Sequence, residues 1–152
     1  MPEKPCYGFF YCFKNRNGAL VIMNKIKILL IEDERDICKM LTHVLTKQGY
    51  EVAAAFDGIE GLSKVKIFRP ALVLLDVNMP RIDGLQILEQ LKTSPETSHI
   101  HVVMCTARAH IDDVEKALGM GAEGYVAKPF SIVRLLSKIK DVLDTPSISG
   151  KK

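Results

Sequence analysis

The stretch Ala71-Leu72-Val73-Leu74-Leu75-Asp76-Val77-Asn78-Met79-Pro80 decides the fold. Its first five residues are apolar and run without a break into one aspartate, and the chain then turns. Such a run reads as a strand buried on both faces, as in a parallel sheet covered by helices. Asp76 then stands at the carboxyl end of that strand, the edge where open α/β sheets bind ligands. An aspartate there is a metal ligand, a nucleophile or a helix cap.

The sequence on the amino side follows the same logic. Residues 26–31, Ile-Lys-Ile-Leu-Leu-Ile, read as a second buried strand, which ends in Glu32-Asp33-Glu34. Residues 36–47 set Ile37, Met40, Leu41, Val44 and Leu45 at helical spacing, and Gly49 stops that helix. Residues 50–55 form a weaker strand. A helix opening at Asp57-Gly58 carries Leu62, Val65 and Phe68 on one face and closes before Pro70.

On the carboxyl side, a loop with Pro80 and Gly84 leads into a helix with Leu85, Leu88 and Leu91. Residues 100–105 read as a strand ending in Thr106. Residues 111–120 read as a helix with Ile111, Val114 and Leu118 facing in. A short strand at 124–127 delivers Lys128-Pro129, and Ser131 caps a last helix with Val133, Leu136, Ile139 and Leu143. Five strands alternating with five helices predict an α/β fold, a doubly wound parallel sheet with helices on both faces. The flavodoxin-like order 2-1-3-4-5 would bring the carboxyl ends of strands one, three, four and five to one edge.

With 152 residues the chain is long enough for one domain with a real core. The domain spans 25–144, after an extension at 1–24 and before a polar tail at 145–152. No apolar stretch approaches the ~18 residues of a membrane span. The net charge of +3 is unevenly placed. Residues 1–25 hold Lys4, Lys14, Arg16 and Lys25 against Glu3, and Lys151 and Lys152 close the chain. The remaining 15 basic and 17 acidic residues make the domain slightly acidic. It is therefore not a basic nucleic-acid binder, and the expectation is no direct DNA binding and no membrane contact. Four cysteines without a C-x-x-C pair point to a reduced, cytoplasmic protein.

The extension holds Tyr7, Phe9, Phe10, Tyr11 and Phe13, half of the ten aromatics. Glu3 balances Lys4 and no small-residue cleavage site follows, which disfavours a secretory signal. The expectation is a disordered or non-native extension; a strand or arm docking on a neighbour is the alternative. Met23 is a natural start for the domain.

Chemistry gathers at the strand ends: Glu32 and Asp33, Asp76, Thr106 and Lys128. Crowded carboxylates repel and raise one another's pKa, and a divalent cation relieves that. All the ligands are hard oxygens, so Mg²⁺ fits. Lys128 supplies a point charge for a phosphoryl oxygen, and Thr106 supplies a hydroxyl. An aspartate in this company suits nucleophilic phosphoryl transfer. Singly, each residue has a plainer use. The acids at 32–34 would cap a helix, Asp76 would serve a turn, Thr106 would be an N-cap, and Lys128 would be solvated. Their joint placement at one edge reverses those odds.

From about 25 to 144 the chain resembles the CheY-like receiver domain of two-component response regulators. The matching stretches are Ile31-Glu32-Asp33-Glu34, Leu75-Asp76-Val77-Asn78-Met79-Pro80 through Asp83-Gly84, Cys105-Thr106-Ala107, and 124–130, Gly-Tyr-Val-Ala-Lys-Pro-Phe. The resemblance implies that Asp76 accepts a phosphoryl group from a histidine kinase or a histidine phosphotransfer protein. It implies Mg²⁺ held by the carboxylates of Asp33 and Asp76 and the backbone carbonyl of Asn78, with Glu32 nearby. Lys128 would pair with the phosphoryl group and its bond to Pro129 would be cis. Thr106 and Tyr125 would act as switch residues. The face built by the fourth helix, fifth strand and fifth helix would then change its affinity for a downstream effector protein. Such a protein is not an enzyme, catalysing at most its own phosphorylation and dephosphorylation, and is a monomer or weak dimer.

Three rivals are weaker. A haloacid dehalogenase-like Mg²⁺-dependent phosphohydrolase carries a second aspartate two residues after the nucleophile, where this chain has Asn78, which cannot transfer a proton. A nucleotide-binding module would need a glycine-rich phosphate loop that is absent. A phosphate-independent scaffold would not need the intact constellation.

Overall fold

A computed structural model describes residues 4–6, 10–107 and 111–144, with side chains left undescribed at 4–6, 10–13, 20–24, 106 and 111. The elements in chain order are β1 (Lys4–Cys6), β2 (Phe10–Lys14), β3 (Leu20–Asn24), β4 (Lys27–Ile31), α1 (Arg35–Lys47), β5 (Glu51–Ala55), α2 (Gly58–Phe68), β6 (Leu72–Leu75), α3 (Gly84–Thr93), β7 (His101–Thr106), α4 (Ile111–Gly119), β8 (Gly124–Ala127) and α5 (Ile132–Leu143).

Strands β4 to β8 form one parallel sheet in the order β5-β4-β6-β7-β8. Numbered from β4, this is the expected 2-1-3-4-5. Alternate residues feed two separate cores. Leu29, Ile31, Val73, Leu75, Val102 and Met104 pack with α2, α3 and α4 residues such as Val65, Leu88 and Ala117. Ile28, Leu30, Leu72, Leu74 and Val103 pack with α1 and α5 residues such as Leu41, Leu45, Leu135 and Ile139. Both faces are covered, so an uninterrupted apolar run is what each central strand requires. The edge strand β5 is only half-buried over most of its length, which explains its weaker sequence signal.

Two expectations change. The extension is not wholly irregular: β1, β2 and β3 pair antiparallel in a second, three-stranded sheet, in register from Lys14↔Leu20 to Phe10↔Asn24. These strands agree with the strand of the alternative reading. Helix faces also differ from the spacing: Leu118 is 48% and Val133 76% exposed, while Ala117, Leu135 and Val142 are buried. The inward face of each helix is set by where it lies on the sheet, which shifts the apolar stripe by a residue or two. Among the described residues, no helix is long and apolar enough to cross a membrane.

Candidate functional site

The site forms where parallel strands end side by side. Ile31 pairs with Leu75, Leu75 with Met104, and Thr106 with Ala127, so the residues after β4, β6 and β8 emerge at one edge. The ladder reaches one residue further: Asp76 N–H donates to the Ile31 carbonyl at 3.0 Å, and Glu32 N–H to the Ala55 carbonyl at 3.0 Å. Both carboxylates are thereby held by backbone that belongs to the sheet. Glu32 is 5% and Asp76 4% exposed, and Asp33 lies at the surface beside them. Oxygens of Glu32, Asp33 and Asp76 lie within 4.8 Å of one another.

Lys128 closes the cluster. Its Nζ donates to Glu32 Oε2 at 2.5 Å, and lies 3.7 Å from Asp76 Oδ2 and 3.7 Å from Glu34 Oε1. The Lys128–Pro129 peptide is cis. Burial pushes the Glu32 carboxyl up to about 7, the bond from Lys128 opposing this and the charge of Asp76 adding to it. Burial also raises the Asp76 carboxyl, against the pull of Lys128. Burial on its own would lower the Lys128 ammonium, but its bond to Glu32 and the charge of Asp76 outweigh that and raise it.

The plainer uses of these residues are met only in part. Glu34 occupies the N-cap position of α1, yet its side chain makes no capping bond. Instead Glu32 Oε1 accepts from Glu34 N–H at 3.2 Å. Asp76 does serve its turn, Oδ1 accepting from Asn78 N–H at 3.1 Å, which leaves Oδ2 facing Lys128. Asn78 itself is exposed. Thr106 is the last residue of β7 rather than a cap on α4, which starts at Ile111; its side chain lies outside the described residues. Tyr125 is half-buried in β8 against the α2–α3–α4 core, and burial raises its hydroxyl pKa, with Asp113 adding.

Two features escaped the sequence reading. Glu34 joins the ring around Lys128, and its place beside Glu32-Asp33 was the available signal. The second is a half-buried group at the far end of the sheet. Lys92 Nζ donates to Glu123 Oε1 at 2.8 Å and to the Ile100 carbonyl at 2.7 Å, while His101 Nδ1 lies 2.6 Å from Glu123 Oε2. No local pattern marks it, since Lys92 lies on α3, His101 on β7 and Glu123 in the connection before β8.

The donor set fits Mg²⁺. Three clustered carboxylates, two of them buried, offer only hard oxygens, and a divalent cation offsets both their repulsion and their desolvation. The cluster stands at the switch-point edge of a doubly wound parallel sheet, where ligands bind in this fold class. Residues 28–140 match the profile of the response regulator receiver domain, and the chain belongs to that family. It is 40% identical over 114 residues to the transcriptional regulatory protein YcbL of Bacillus subtilis, covering 74% of this chain and 48% of YcbL. Among solved structures, chemotaxis protein CheY4 of Vibrio cholerae aligns with a TM-score of 0.74 at 30% identity, over 78% of this chain and 98% of CheY4. The receiver domain of a DNA-binding response regulator of Colwellia psychrerythraea aligns at 0.75 and 28% identity, over 80% of this chain and all of that one, 100%. The chain thus carries a receiver domain of the two-component response regulator class.

These relatives correct one expectation. The slightly acidic domain argued for no direct DNA binding, but YcbL is a transcriptional regulator and the Colwellia receiver belongs to a DNA-binding protein. The chain spans about half the length of the curated relatives it matches, 48% and 50% for two of them. Charge on a receiver domain reports on that domain alone, so it cannot exclude a nucleic-acid function of such a protein.

Proposed function

We propose that Asp76 is the phosphoacceptor of this domain. The observation that carries the proposal is a buried carboxylate at the end of β6 with the Lys128 ammonium 3.7 Å from Oδ2 and two further acids alongside. In the reaction an Asp76 oxygen attacks the phosphorus of a phosphohistidine on a histidine kinase or phosphotransfer protein. The new P–O bond forms as the P–N bond breaks, and the histidine nitrogen leaves with the electron pair. The carboxylate has no proton to lose, so no base is required; the work is positioning and charge neutralisation. Mg²⁺, held by Asp33, Asp76 and the Asn78 carbonyl with Glu32 close by, would supply positive charge to the transferring oxygens. Lys128 exchanges its contact with Glu32 for the phosphoryl group, a stronger acceptor. Asn78 offers no acid to speed hydrolysis, so the phosphoryl group persists as a signal.

The signal is a shift between two packings. It is biased only by contacts that the phosphoryl group makes differently in each. Thr106 and Tyr125 are the residues we assign to that bias, acting on the face built by α4, β8 and α5. The test is phosphoryl labelling of the purified protein with Mg²⁺ and a small acyl phosphate. Wild type should carry an acid-stable, base-labile adduct and Asp76→Asn should not. Equal labelling of both, or none of wild type, overturns the proposal. Steady turnover of a phosphomonoester would favour the phosphohydrolase instead.

A further inference from the structure

Between Asp76 and α3 the chain is held at both ends. Upstream, Asn78 N–H donates to Asp76 Oδ1 at 3.1 Å. Downstream, Asp83 forms a capping box with Gln86: its Oδ1 accepts from Gln86 N–H at 2.9 Å and its N–H donates to Gln86 Oε1 at 3.0 Å. Gly84 N–H donates to the Val77 carbonyl at 2.9 Å. A β-carbon on Gly84 would lie 2.2 Å from the Asp76 carbonyl oxygen, so the loop returns directly onto that backbone.

The residues between must therefore reverse in very little chain. Ile82 N–H donates to the Pro80 carbonyl at 2.9 Å, closing a three-residue turn, and Arg81 at its centre has φ of 72°. A γ-turn with positive central φ is the rare and strained form, and a residue bearing a β-carbon is disfavoured there. The turn cannot relax toward Ile82, which is packed against the core. A β-carbon on Gly58 would come within 2.4 Å of Ile82 Cγ2, so α2 already presses on it.

We infer that Arg81 is a positioning residue, whose tolerance of positive φ sets how fully this loop closes over the acidic cluster. The inference rests on the reading of Asp76 as phosphoacceptor with the Asn78 carbonyl as a metal ligand. A closed loop presents that carbonyl; an open one withdraws it. Affinity for a cation that needs the closed form scales with the closed population. The device acts through the backbone, so the charge of residue 81 is incidental.

The experiment compares full-length wild type with Arg81→Lys, Arg81→Asn and Arg81→Val. Mg²⁺ affinity is measured by calorimetry with the metal alone, and loop closure by amide exchange at Gly84. Arg81→Lys should match wild type, because its φ cost is the same. Arg81→Val, β-branched and worst suited to positive φ, should bind Mg²⁺ roughly tenfold more weakly and exchange faster. Arg81→Asn should bind at least as well as wild type and exchange more slowly at Gly84. Equal Mg²⁺ affinity of Arg81→Val and wild type, within twofold, overturns the inference whatever the melting temperatures do. So does an effect that follows charge, with Arg81→Asn weakened like Arg81→Val. Should Arg81→Val not fold, exchange in Arg81→Asn decides, equal protection at Gly84 being the adverse result. A wild type that binds Mg²⁺ but takes up no phosphoryl group overturns the reading of Asp76 alone.

Discussion

Lys128 is shared by three carboxylates, and Glu32 holds it most closely, 2.5 Å against 3.7 Å for Asp76. That closeness keeps two buried acids tolerable in one pocket. Removing the ammonium by Lys128→Ala leaves them facing each other uncompensated, which should cost on the order of 3 kcal/mol in metal-free buffer and show as a lower Tm. Glu32 makes a second prediction at this scale. Its carboxyl rises from 4.5 to about 7 on folding, chiefly by burial, so the folded protein keeps a proton there that the unfolded chain releases. The stabilising contribution is complete below pH 4.5 and is lost as pH rises through 7. Without metal, the stability of wild type relative to Glu32→Gln should therefore fall across that window. The fall should amount to a few kcal/mol, since each tenfold difference in proton affinity between the folded and unfolded chain is worth about 1.4 kcal/mol. Urea titrations of both proteins at several pH values read it; a constant difference would refute it. The three acids and Lys128 were legible because each follows a strand run directly. The pairing of Lys128 with Glu32 rather than Asp76 was not, since it depends on side-chain geometry across the sheet edge.

Among the elements, the α3–β7–β8 corner contrasts with the Asp76 edge. Glu123 ties Lys92 and His101, and its Oε2 also accepts from Val102 N–H at 3.2 Å. The side chains are only 10% to 12% exposed, so truncating Glu123 strands a nearly buried ammonium. Glu123→Ala should lower stability by about 3 kcal/mol, visible in denaturant titration, while phosphoryl labelling of the folded protein stays intact. A loss of labelling at unchanged stability would show that this corner belongs to the functional site. The corner could not be read from sequence. Lys92 and Glu123 stand 31 residues apart and His101 and Glu123 22 apart, with no shared periodicity. The start of α3, by contrast, was signalled by Asp83-Gly84. What the sequence left open there is the positive φ of Arg81, because anchors on either side force the turn and an arginine gives no local signal of it.

For the whole molecule, the two sheets define the consequence. Among the described residues, the parallel sheet and its helices hold both core clusters. Among the same residues, the sheet of β1, β2 and β3 shares no ladder with it. Deleting residues 1–24 should thus leave Tm within about 2 °C and phosphoryl labelling unchanged. A large drop would mean that the extension packs on the domain. A cation that binds only the folded state should raise stability, by about 2.7 kcal/mol at a hundredfold excess over its Kd. Melting in Mg²⁺ against chelator tests this, and Asp76→Asn should weaken the response.

By itself the sequence determined the class of fold and which residues stand at the sheet's carboxyl edge. Uninterrupted strand runs require burial on both faces, and parallel strands send all their ends one way. The tertiary structure decided what those residues do to one another: which carboxylate takes Lys128, which helix faces are inward, how the loop after Asp76 is forced through Arg81, and that a second ionic cluster exists. These depend on distances between segments far apart in the chain, and local periodicity carries no information about such distances.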